Sequence, residues 1–106
     1  MKRFVAILKE KKKGVLTDQL LNDHVRHLAE LSKAGSLITC GPFEDDTGAI
    51  QILNAENFEA ANALVLNDPF VAEGYYSSFN LNEFIEASDE NNWLMEHPQT
   101  EANLAE

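Results

Sequence analysis

Apolar residues recur along the chain with two spacings, and each spacing predicts a type of element. Between Arg3 and Lys9 a run of Phe, Val, Ala, Ile and Leu is bounded by charge. It is too short for a helix and rich in β-branched and aromatic residues, so it predicts a strand. Successive strand residues point to opposite sides: Phe4, Ala6 and Leu8 share one face, Val5 and Ile7 the other, and both faces need cover. From Thr17 the spacing becomes helical. Leu21, Val25 and Leu28, with Leu20, Leu31 and Ala34 beside them, form one stripe, with Thr17 or Asp18 as cap and Gly35 as stop. Residues 36–40 make a second short strand, ended by Gly41 and Pro42 because proline removes a ladder donor. An acidic loop over residues 43–48 leads to a strand over 49–53. Asn57 then caps a second helix carrying Phe58, Ala61, Leu64 and Val65, which Pro69 closes. Residues 75–84 form the last strand.

The order is β-α-β-β-α-β, an α+β arrangement of the ferredoxin-like class with an antiparallel sheet and both helices on one sheet face. Two helices cannot cover both faces of four strands, so the open face requires a partner. A second copy is the simplest one, because a two-fold axis pairs a surface with itself. The expected form is a homodimer. Residues 1–84 read as the domain and residues 85–106 as an acidic, Asn-rich C-terminal extension. Within that extension Trp93, Leu94 and Met95 form an apolar cluster, free either to dock on the body or partner or to anchor a short helix.

Charge narrows the function classes. The 106 residues carry a formal net charge of −10, and all eight Lys and Arg lie within the first third, ending at Lys33. A net-negative surface repels phosphate backbones, so no nucleic-acid binding is expected, and the Lys11-Lys12-Lys13 run reads as a solvated loop. No run of eighteen apolar residues exists, and the apolar start is too soon interrupted by charge for a signal peptide or a membrane span. The cytoplasm is the expected location. A single cysteine, Cys40, forms no internal disulfide and excludes a thiolate-built metal site.

Three side chains stand out chemically. His24 and His27 are three apart on the first helix, among leucines rather than on its polar side, so each needs a hydrogen-bond partner. A satisfied structural histidine and a working one are both open readings. No third ligand lies near the H-x-x-H spacing, so no metal is expected. Asp68 sits at the expected C-terminal end of the second helix, where the macrodipole disfavours a carboxylate by about 0.3–1 kcal/mol. It is either a plain Asp-Pro turn or a charge held for a histidine elsewhere, which would orient the ring as a general base. Cys40, in an apolar strand, reads as a small core residue rather than a nucleophile.

His27-Leu28, Gly41-Pro42 closing a strand, Gly48 opening the next, and Asp68-Pro69-Phe70 with Gly74 soon after resemble the signature of the YciI-like, or YCII-related, family. The resemblance spans nearly the whole chain before its tail. It implies a dimeric α/β barrel in which two sheets pack face to face, and an active site holding a His–Asp pair. Carried over by position, the catalytic histidine is His27 and the aspartate Asp68; His24 falls where many relatives have an arginine. The barrel is shared with muconolactone isomerases. One reading is therefore a small-molecule enzyme of isomerase or lyase type, in which His27 moves a proton and Asp68 orients it, with no redox cofactor. His24, Gly41, Pro42, Phe43, Phe70 and Tyr75 are the expected pocket-lining residues. The other reading is a non-catalytic dimeric module that binds a metabolite or a protein, with the pair as a buried structural contact.

Overall fold

The computed structural model describes residues 1–104. The chain runs β1 (Lys2–Lys11), α1 (Asp18–Lys33), β2 (Leu37–Pro42), β3 (Ala49–Ala55), α2 (Phe58–Leu66), a short α3 (Pro69–Ala72) and β4 (Tyr76–Phe84). The four strands form one antiparallel sheet in the order β2-β3-β1-β4. This is the ferredoxin-like α+β arrangement, with α3 added between α2 and β4.

Strand alternation decides where the core sits. Phe4 stands opposite Leu53, Ala6 opposite Leu81 and Leu8 opposite Phe79. This face is covered by the helices: Phe4, Ala6, Leu53, Ala61 and Val65 are fully buried. Each large apolar side chain so buried contributes about 1.5–3 kcal/mol. The opposite face carries Val5 against Ile52 and Ile7 against Ile50, all four half-buried.

The helix ends follow their caps. The Thr17 side chain accepts from the Leu20 amide at 3.1 Å, and Asn57 accepts from Ala60 at 2.8 Å. These are the orphan first-turn donors that such caps satisfy. Pro69 does not close α2, as expected from sequence. The helix already ends at Leu66, and Pro69 opens α3, a position where its missing N–H costs nothing.

Beyond β4 a 3-10 segment (Asp89–Leu94) and α4 (Pro98–Leu104) bury no residue. Trp93 and Met95 are exposed, and the Trp93 Nε1 donates to Asp89 at 3.0 Å, so these two side chains are not docked on the body, while Leu94 is half-buried. The radius of gyration, 16.0 Å, exceeds the roughly 13 Å of a compact chain this long. An Arg3–Glu86 ion pair ties down the root of the segment. The last two residues of the expected extension, 105–106, lie outside the described residues. No helix is long and apolar enough to cross a membrane among the described residues.

Candidate active site

Asp68 is the polar centre of the fold. Its side chain is fully buried and takes three hydrogen bonds: from His24 Nδ1 at 2.7 Å, from the Phe70 amide at 2.9 Å and from Gln51 Nε2 at 2.8 Å. Rather than ending α2 against its dipole, Asp68 is the N-cap of α3, where a carboxylate is favoured. Burial alone would push its carboxyl up. The hydrogen bond and positive charge of His24, with the Phe70 amide and Gln51, outweigh burial and hold it below the usual value.

The histidine in this pair is His24, not His27 as expected by position. Helix geometry gives the reason. At about 100° per residue, the two α1 positions turned to the core, Leu20 and Leu31, fall about 20° apart. His24 lies about 40° from Leu20 toward Leu28 and Leu21, whereas His27 lies about 20° to the other side. Only His24 is therefore on the flank facing Asp68. His27 makes no hydrogen bond among the described residues, and its buried Nε2 is without a partner.

The His24 ring is also fixed in plane. It stacks on Phe70 with centroids 3.6 Å apart and an interplanar angle of 4°, and Phe70 packs in turn on Tyr75 and Tyr76. An ionised carboxylate only accepts, so the 2.7 Å contact places the proton on Nδ1. In the neutral ring Nε2 is then the lone pair, on the side of the imidazole away from Asp68 and with no partner among the described residues.

A cavity of about 400 Å³ lies between α1 and the sheet in front of this pair. His24, Gly41, Pro42, Phe70 and Tyr75 line it, as do Cys40, Gln51 and Tyr76. Phe43 does not: its amide turns back to donate to Gly48 at 2.8 Å, within the β2–β3 connection. Leu21 and Val25 of the expected core stripe are 43% and 53% exposed because they form the cavity's wall rather than the core. Burial, with Asp68 nearby, pushes the Cys40 thiol up, so it stays protonated and a poor nucleophile near neutral pH.

Gln51 was not singled out by sequence reasoning, yet a signal was present. It interrupts the apolar run Ile50 to Leu53 at the same strand parity as Leu53, which places an amide in the core and demands a partner. Asp68 is that partner. Among the described residues no group of three His, Cys, Asp or Glu side chains could hold a metal ion.

The ferredoxin-like sheet is shared with several solved structures. This chain belongs to the YCII-related domain family, matching it over residues 3–85. No curated protein sequence matches it. Among solved structures it resembles 5-chloro-2-hydroxyhydroquinone dehydrochlorinase of Burkholderia phenoliruptrix AC1100, determined with 2,5-dihydroxybenzoquinone. Identity is 22%, the TM-score 0.58, and the alignment covers 84% of this chain and 99% of that one. A muconolactone isomerase aligns with a TM-score of 0.64 at 12% identity, over 81% of this chain and 90% of its own. An antibiotic biosynthesis monooxygenase aligns at 0.53 and 9%, over 83% and 100%. At these identities the likenesses establish the fold.

Proposed function

We propose that this protein is a small-molecule enzyme of isomerase or lyase type in which His24 transfers a proton and Asp68 orients it. The observation carrying this reading is the His24–Asp68 contact of 2.7 Å at the wall of an open cavity. Asp68 fixes the tautomer, so Nε2 is the base. When Nε2 takes a proton the imidazolium forms against a buried carboxylate already held in its ionised form, and the same nitrogen can return the proton at a second position of the substrate. A dehydrochlorinase and an isomerase on related folds are chemistries that such a device suits, although fold likeness alone assigns neither.

Solvent-deuterium wash-in across a panel of compounds with acidic C–H bonds tests the reading, with His24→Asn as comparator. Asparagine keeps a donor near the position of Nδ1 but has no second nitrogen base. The variant should keep its fold and lose about 10²–10⁴-fold of the exchange rate. Undiminished exchange in His24→Asn would refute the assignment. The alternative, a non-catalytic binding module, is favoured by the way Asp68 joins α1, β3 and α3. It predicts that no compound exchanges and that His24 variants change stability alone. We place the working form as a homodimer paired through the open sheet face, in the cytoplasm, where the free thiol of Cys40 stays reduced.

A further inference from the structure

The polar atoms of the cavity restrict what it can hold. Asp68 accepts a hydrogen bond from two neighbouring side chains, His24 and Gln51, and this sets what each has left to offer. His24, with Nδ1 committed, offers the Nε2 lone pair. Gln51, with Nε2 committed, offers Oε1, which is buried without a partner in a residue only 2% exposed that lines the cavity. An unpaired buried carbonyl costs about 1–3 kcal/mol, a penalty that a donor arriving from the cavity removes. While His24 is neutral these two side-chain atoms are both acceptors; among the described lining side chains the tyrosine hydroxyls and the Cys40 thiol can turn either way.

Charge restricts the ligand further. Among the described residues the cavity lining contains Asp46 and no lysine or arginine, and Lys11 is committed to Asp46. When His24 is protonated its charge is balanced by Asp68 behind it. An anionic ligand would meet no uncommitted cation, within a chain of net charge −10. Most of the remaining wall is apolar, with Leu8, Leu21, Val25, Leu28 and Phe70 among it.

Resting on the site of the proposed function, we infer that the cavity takes an uncharged, hydroxylated ring compound, whose hydroxyl donates to His24 Nε2 or Gln51 Oε1, and that it rejects carboxylates and phosphates. A carbonyl presented without a neighbouring hydroxyl brings only acceptors to acceptors and is a poorer match.

Three probes of one ring size separate these requirements: phenol, anisole and benzoate. Each is titrated into the full wild-type chain while the His24 side-chain nitrogens and the Gln51 side-chain amide are followed by NMR. Phenol should shift both sets of signals saturably. Anisole, which has the ring without the donor, should bind about tenfold more weakly, and benzoate should leave these signals unmoved. In Gln51→Met the advantage of phenol over anisole should shrink; an unchanged advantage removes Gln51 from the assignment. Benzoate or anisole binding as tightly as phenol overturns the inference, as does the failure of all three to move these signals. The titration measures binding alone. Phenol selectivity without proton exchange in any substrate would sink the catalytic reading and leave this one standing, and exchange confined to carboxylates would do the reverse.

Discussion

Asp68 shows how one residue can serve packing and chemistry together. It caps α3, holds His24 and accepts from Gln51 with no exposure to water. Removing its charge leaves donors facing an amide that cannot accept from all of them, so Asp68→Asn should lose about 3–5 kcal/mol at pH 7. The pH dependence follows from its depressed carboxyl. Since the folded value lies below the unfolded value of about 3.9, the contribution is fully present above about pH 5 and is lost as pH falls through the folded value. Thermal melts from pH 7 down to pH 2.5 should show the gap between wild type and Asp68→Asn narrowing below about pH 4; a gap of constant size would show that the carboxylate is not linked to folding. Cys40 gives a second outcome at this scale. Its thiol is exposed yet pushed up by burial of part of the group and by Asp68, so a maleimide should modify it more slowly at pH 7 than it modifies an unstructured cysteine peptide.

At the scale of elements, the site depends on how α1 and the β2–β3 connection are held against the sheet. Gly48 is the tight point of that connection. A Cβ there would stand 2.3 Å from the Leu8 carbonyl oxygen, which is backbone at the end of the β1–β3 ladder and inside the β1–β4 ladder and cannot swing aside. Gly48→Ala should therefore cost about 1–3 kcal/mol, read as a lowered Tm, and should disturb Pro42 and Ala49 at the cavity edge; a variant as stable as wild type would show that the connection yields. The strands, α1, α2 and both caps were legible in the sequence because alternation, helical spacing and side-chain oxygens ahead of an apolar stripe are local signals. From residues alone a His–Asp contact was one of two open readings of Asp68, the other being a plain Asp-Pro turn, and the family resemblance was what implied the pair. Which histidine answers Asp68 was not local information. It depends on how α1 rolls onto the sheet, set by burial of Leu20 and Leu31, and the resulting rotation brings His24 forward and leaves His27 on the other flank. Leu21 and Val25 carry the same lesson, since a stripe read as core is in part the wall of a cavity. The four-residue α3 was hidden because Asp68-Pro69 reads equally well as the end of one helix or the start of another.

For the whole molecule, the sheet has one face covered and one face bare of helices. Val5, Ile7, Ile50 and Ile52 form a cross-strand apolar cluster at the centre of the bare face, and Asn80 and Asn82 extend it across β4 beside Ile7 and Val5. An aliphatic centre with an amide border has the composition of an interface with a dry middle and a hydrogen-bonding rim. Self-pairing about a two-fold axis also satisfies both copies at once. The proposed dimer therefore has a direct test in Ile52→Lys. In an isolated subunit this lysine reaches solvent from a half-buried position and leaves the helix-covered core untouched, so the fold should persist, as the far-ultraviolet circular dichroism would report. In the dimer the two-fold axis brings two such charges into one apolar layer, a desolvation that pairing cannot offset. Sedimentation velocity at micromolar concentration should find wild type at twice the monomer mass and Ile52→Lys as a folded monomer. A wild-type monomer, or a variant that still dimerises, would mean that this face is not the interface, and the apolar cluster on it would then need a different partner.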